Sequence, residues 1–242
     1  MVEQEAFNLL VEGSNPSRPT IPLTQRLSRV PRTRQRGVHG GLARVVKRHL
    51  AATWRQPIRD HSQRAFDSIQ GRVEGESQVI LDAGCGTGRS TEAIAERHPD
   101  SLVLGIDQSR HRLDKAPSLP DNACLLRADL TDFWRLARRA GWQLQAHYLL
   151  YPNPWPKARQ LQRRWHGHPV FPDILALGGR LELRSNFRLY VEEFDAALRL
   201  AGVTAGEVVS FCPDSPISPF EAKYAAAGHE LFRLTVYLET TE

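Results

Sequence analysis

The segment Leu81-Asp82-Ala83-Gly84-Cys85-Gly86-Thr87-Gly88 constrains this chain more than any other. It leaves the apolar run Val79–Leu81 and opens a helical pattern over Ser90–Arg97. Glycines at alternate positions let the backbone reverse sharply between a strand and a helix and approach a ligand closely. The rest of the sequence continues this strand–helix rhythm. Leu102–Ile106, Ala123–Leu126, Ala146–Leu150 and Arg180–Arg184 read as strands, Asp132–Ala140 and Leu189–Ala201 as helices, and Gly206–Phe211 and Glu230–Leu238 as closing strands. The alternation predicts an α/β fold with a doubly wound, mainly parallel seven-stranded sheet.

The loop also carries a chemical signature. Asp107 stands 19 residues beyond Gly88, at the end of the second strand, where a carboxylate can accept both hydroxyls of a ribose. The glycine spacing is not that of a dinucleotide loop, which cradles a pyrophosphate at a helix N-terminus. Asp82 sharpens the contrast, because an acid here repels phosphate and receives a cationic amine. Methionine bearing a sulfonium and an adenosine has that amine and no phosphate. Asp82, Gly84, Gly86, Gly88 and Asp107 are therefore candidate ligands of S-adenosylmethionine, and the loop resembles motif I of the Rossmann-like class I methyltransferases. Asp129, after the third strand, fits a place beside the adenine; the other reading of it is a cap for the helix that follows.

A second constraint is Tyr151-Pro152-Asn153-Pro154-Trp155-Pro156-Lys157, directly after the strand Ala146–Leu150. Each proline lacks a backbone donor and fixes its own φ, so the chain leaves the sheet in a stiff, extended turn. That places an amide, an indole and an ammonium group at the carboxyl end of a strand, the edge of open α/β sheets where ligands bind. Trp155 can stack on a base or pack under the loop. Lys157, Arg159, Arg163 and Arg164 suit phosphates beside such a pocket. His166 and His168 lack a third ligand at useful spacing and read as surface or loop residues, so no metal site is expected.

The stretch from Tyr151 through Arg164 resembles the P-D-P-W-x-K-x-R-H-x-K-R-R segment of the tRNA (guanine-N7)-methyltransferases. Leu183-Arg184-Ser185-Asn186-Phe187 sits where that family has a Thr-Asp pair, and Ser218-Pro219-Phe220-Glu221 resembles its T-K-F-E motif. The resemblance runs from about Asp82 to Leu238. It implies a methyltransferase that uses S-adenosylmethionine and acts on tRNA at guanine N7. Asp82 and Asp107 would hold the methionine part and ribose of the cofactor, with Asp129 by the adenine. Asn153 would occupy the catalytic position and Lys157 would contact substrate, while Ser218 and Glu221 would clamp the target guanine or its phosphate. The chain departs from the family at Asn153 and Asn186, both Asp there, and at Ser218 and Pro219, which are Thr and Lys there. Guanine N7 has a lone pair and no proton, so the transfer needs alignment rather than a general base. Asn153-Pro154 followed by an aromatic also resembles the N-P-P-Y type of amino-methyltransferases. The alternatives are thus a methyltransferase for another base or amine, and a tRNA-binding paralogue without catalysis.

Charge is distributed unevenly. Residues 13–59 carry eleven Lys or Arg and no acid, whereas residues 60–242 carry 21 bases against 24 acids. Such asymmetry favours a polyanionic partner. Residues 1–37 read as a flexible basic extension, 38–76 as a helical segment with Leu42, Val45, Val46, His49 and Leu50 on one face, and 77–242 as the cofactor-binding domain. Gly13-Ser14-Asn15-Pro16 can be encoded by the typical T-arm sequence of a tRNA gene, so a start further downstream, at Val30 or Val38, is expected. Cys85, Cys124 and Cys212 show no paired spacing, and no apolar run is long enough to span a bilayer. A cytoplasmic protein with no membrane partner is expected.

Overall fold

The computed structural model describes residues 29–204 and 206–239. The T-arm-like segment Gly13–Pro16 and most of the basic extension lie outside the described residues. Seven strands form one sheet: β1 Val79–Ala83, β2 Leu102–Asp107, β3 Ala123–Arg127, β4 Ala146–Leu150, β5 Gly179–Ser185, β6 Val208–Phe211 and β7 Leu231–Leu238. Their spatial order is β3-β2-β1-β4-β5-β7-β6. The first five are mutually parallel, and β7 runs antiparallel to both β5 and β6. The strand order reverses between β1 and β4, which pair in register with Asp82 opposite Tyr148. A crevice opens at such a switch point, outside the carboxyl ends of the strands.

The helices follow from their apolar spacing. They are α1 Leu42–Leu50, α2 Asp60–Glu74, α3 Arg89–Arg97, α4 Arg110–Leu113, α5 Leu130–Arg139, α6 Phe171–Ala176, α7 Arg188–Leu200 and α8 Pro219–Ala226. The helical pattern expected from Gly41 to Ile69 is broken around Pro57, whose ring cannot continue a helix. On α1, Leu42, Val45, Val46 and His49 are buried as expected, but Leu50 is exposed, one position past the stripe. Phe66 of α2 stacks on Trp142 at 4.8 Å and meets Phe133 of α5 edge-on at 5.6 Å. These helices and one face of the sheet therefore share a single core.

Helix α5 begins two residues earlier than its apolar pattern suggests, because the Asp129 side chain caps it by accepting from the Thr131 amide at 2.9 Å. Gly105 in β2 explains how α3 comes close to the sheet. A Cβ there would lie 2.3 Å from Thr91 Oγ1 and 2.5 Å from Leu125 Cδ2. Among the described residues, no helix is long and apolar enough to cross a membrane.

Candidate active site

A cavity of about 470 Å³ lies at the switch point. Ala83, Gly84, Asp107, Gln108, Asp129 and Thr131 line the part over β1–β3, and Leu150 to Pro154, Asn186, Phe220 and Tyr224 line the part over β4 and β5. The glycine loop and the proline-rich turn, 63 residues apart from Gly88 to Tyr151 in sequence, thus face one space.

The glycines behave as the loop requires. Gly84, Gly86 and Gly88 have φ of 85°, 62° and 74°, a region that strains any residue with a Cβ. Gly88 is doubly constrained, since a Cβ there would lie 2.7 Å from Leu125 Cδ1. Asp107 lines the cavity. Its carboxylate accepts from Gly86 N at 3.0 Å and Ser109 N at 2.7 Å, and it pairs with Arg112 at 3.2 Å. A carboxylate takes about four hydrogen bonds, so one acceptor position is left for a ribose hydroxyl.

Asp82 differs from expectation. It is 1% exposed and does not line the cavity. One oxygen accepts from Ser90 Oγ at 2.6 Å and Thr91 Oγ1 at 2.8 Å, tying β1 to the start of α3. The other oxygen is buried with no partner among the described residues. Burial drives its pKa up to about 6 against the pull of those hydroxyls, with the Asp107 charge adding to the rise. Asp82 thus lies behind the loop, buried and out of the cavity lining. Asp129 lines the cavity while capping α5, and it also lies 3.4 Å from Arg59. Among the described residues the cation in the lining, Arg112, is paired with Asp107, and such an acidic, glycine-built floor fits a cationic nucleoside lacking phosphate, such as S-adenosylmethionine.

The turn after β4 is held by unusual means. Tyr151 and Trp155 have φ of 51° and 42°, left-handed values that cost non-glycine residues energy and cluster at functional sites. The Tyr151 hydroxyl donates to Glu221 at 2.8 Å, and the Arg164 side chain donates to the Trp155 carbonyl at 3.0 and 3.1 Å. Asn153 is exposed at the cavity wall, and its side chain has no hydrogen-bond partner among the described residues. Trp155 does not line the cavity; its ring is covered by the Arg163 guanidinium at 4.8 Å. Trp165 lines it instead, braced edge-on against Trp134 at 4.8 Å. Lys157 and Arg159 are exposed, and Lys157 lines a second, open cleft with Arg32 and Arg34.

Four expectations about side chains are corrected here. Arg164 is fully buried, so phosphate cannot reach it; it pairs with Glu193. His166 is likewise buried rather than on the surface, with its Nε2 3.1 Å from the same carboxylate. Burial alone would raise Glu193, but the His166 hydrogen bond, the Arg164 charge and the Gln35 amide reverse this and hold it at about 2. Glu221, expected to clamp the target guanine, is 0% exposed, and its oxygens are taken up by Arg184, Tyr151 and Ile217 N. Ser218 caps α8 by accepting from Glu221 N at 3.2 Å. Both Ser218 and Glu221 thus shape the site from behind it. Asn186 does line the cavity, with Nδ2 3.0 Å from His229 Nδ1. Glu193, Trp165, Phe220 and Tyr224 were missed by sequence reasoning. Of these, only Phe220 and Tyr224 carry a signal, since Ser218, Pro219 and Glu221 form a helix-start pattern for α8, on which both lie.

The sequence profile of the Methyltransf_4 family, described as "Putative methyltransferase", matches residues 76–234. A protein of Halorhodospira halophila named tRNA (guanine-N(7)-)-methyltransferase is 28% identical over 81% of this chain and 90% of its own length. One of the same name from Mycobacterium ulcerans is 29% identical over 83% and 80% respectively. Among solved structures, an antibiotic-related methyltransferase shares the fold at a TM-score of 0.54 and 14% identity, covering 76% of this chain and 96% of that one. The 16S rRNA methyltransferase KamB does so at 0.54 and 16%, covering 76% and 95%. The family profile spans the glycine loop, the proline-rich turn and α8 together, and the chain belongs to this methyltransferase family.

Proposed function

We propose that this protein methylates guanine N7 in tRNA, using S-adenosylmethionine. The observation that carries the reading is the cavity itself, in which the glycine loop after β1 and Asn153 of the proline-rich turn face each other. The relatives that match most of the chain bear the name of that activity. When bound, S-adenosylmethionine supplies a methyl group activated on a positively charged sulfur. Gly84 and the last acceptor position of Asp107 hold the nucleoside end, and Asp82 favours the ligand's positive charge from behind the loop.

The turn has the remaining work. N7 brings its own lone pair, so no residue need remove a proton, and the site contributes by alignment and by excluding water. As N7 is methylated the guanine ring becomes cationic. Asn153 and Asn186 can meet that charge with amide oxygens, which accept hydrogen bonds more weakly than the carboxylates found in the family. Lys157, Arg159 and Arg163 are exposed beside the turn and suit the tRNA backbone.

The test is incubation with labelled S-adenosylmethionine and bulk tRNA, followed by digestion to nucleosides. Label in 7-methylguanosine is the expected result. Label in an N-methylated amine would favour another base, in keeping with the exposed amide of Asn153. Absence of label from every nucleoside would overturn the reading.

A further inference from the structure

We propose that Phe220, backed by Tyr224 and His229, is the surface on which the methyl-accepting ring stacks. The inference rests on the reading that a nucleobase enters the cavity. An exposed phenylalanine alone means little. Phe220, however, is 46% exposed on the cavity wall and ends an ordered column of rings.

Phe220 and Tyr224 are four residues apart on α8 and so share one helix face. Their rings stack at 6.0 Å and 25°, and Tyr224 stacks on His229 at 5.3 Å and 11°. The column is anchored twice. His229 meets the Asn186 amide, and Tyr224 packs 5.5 Å from Tyr151, which Glu221 holds from below. The start of α8 is fixed by the Ser218 cap and by Pro219. Phe220 is left as the uncovered end of a rigid stack, in the half of the cavity that also holds Asn153, Pro154 and Asn186.

Trp155 is the rival platform by composition. Its ring is already covered by Arg163, and it lies outside the cavity lining. A flat base taken out of its own stack recovers that interaction on an aromatic ring. Phe220 offers the ring, while Asn153 and Asn186 offer amide groups to the base edge.

The test compares Phe220→Ala, Phe220→Trp and Trp155→Ala in tRNA methylation, with calorimetry for S-adenosylmethionine and thermal unfolding alongside. Loss of one stacking contact lowers kcat/KM for tRNA roughly 5- to 150-fold in Phe220→Ala. Phe220→Trp restores it, and cofactor affinity and melting temperature stay at wild-type values because the side chain is exposed. Wild-type kcat/KM in Phe220→Ala, or a larger loss in Trp155→Ala, would overturn the proposal. If the wild-type protein leaves tRNA unlabelled, the tRNA reading fails by itself. The platform is then judged by the added emission of Phe220→Trp, titrated with guanosine and adenosine monophosphates in the presence of S-adenosylhomocysteine. Quenching upholds it, and unchanged emission removes it.

Discussion

Glu221 and Arg184 form a buried ion pair beneath the proline-rich turn, with Arg184 Nη1 2.9 Å from Glu221 Oε1, the same oxygen that accepts from the Tyr151 hydroxyl at 2.8 Å. One carboxylate thus links β5, α8 and the residue at which β4 enters its left-handed turn. Removing Glu221 leaves Arg184 its second carboxylate partner, Glu182, at 2.6 Å, but takes the acceptor from the Tyr151 hydroxyl and from Ile217 N, and two donors left unpaired cost about 2–4 kcal/mol. Glu221→Ala is expected to lose that much stability in urea unfolding, together with tRNA methylation. Tyr151→Phe removes only a hydroxyl from an already satisfied acceptor, so its stability loss should stay near 1 kcal/mol, roughly one net hydrogen bond. A loss in Glu221→Ala no larger than that of Tyr151→Phe would show that the carboxylate does not hold the turn.

Arg163 and Arg164 are adjacent in sequence and opposite in role. Arg164→Ala leaves Glu193 buried with its guanidinium partner gone and is expected to cost about 3–5 kcal/mol of stability. Arg163→Ala and Lys157→Ala should unfold like wild type. Each should also reduce the slope of log affinity for tRNA against log salt by roughly 0.7–0.9. Filter binding at several salt concentrations checks this, and an unchanged slope in both exposed variants would remove them from the RNA interface.

This contrast marks where the sequence stops being informative. The strands were legible because short apolar runs alternate with helical patterns, and the glycine loop was legible because few residues tolerate its backbone. Asp129 carried two readings, and it caps its helix while lining the cavity. Nothing local separates Arg163 from Arg164. The burial of Arg164 is set by Glu193, 29 residues away on α7. The functions assigned to Ser218 and Glu221 came from resemblance, although their own spacing spelled a helix start. Phe220 and Tyr224 became visible only once that helix was placed beside the turn after β4, with Tyr224 5.5 Å from Tyr151.

Asn153 offers a direct test of substrate preference. An ionised acceptor binds a donor about twice as strongly as a neutral one, a difference of roughly 1 kcal/mol or fivefold. Asn153→Asp is therefore expected to raise kcat/KM for guanine-containing substrate about fivefold, since the carboxylate accepts from the N1–H and N2 amine and faces a ring that becomes cationic. Steady-state methylation of the same tRNA by both proteins measures it. A drop in rate would mean that Asn153 presents its amide N–H to an acceptor on the ring.

Asp82 should make stability and cofactor binding respond to pH in opposite directions. Its folded-state pKa of about 6 lies above the ordinary carboxylate value of 3.8. The folded protein therefore holds the proton more tightly than the unfolded chain, and stability falls as pH rises between about 4 and 6, then levels off. A rise of this size corresponds to about 3 kcal/mol. Asp82→Asn keeps an acceptor for Ser90 and Thr91 without the buried charge, so it should be more stable than wild type at pH 7 and nearly flat across this window. A cationic cofactor favours the ionised form, so wild-type affinity for S-adenosylmethionine should rise as pH climbs through about 6, and Asp82→Asn should bind more weakly with little pH dependence. Unfolding and calorimetric titrations at pH 5 and pH 7.5 separate the two effects. A variant that is both less stable and equally pH-dependent would show that the charge behind the glycine loop is not the source of either.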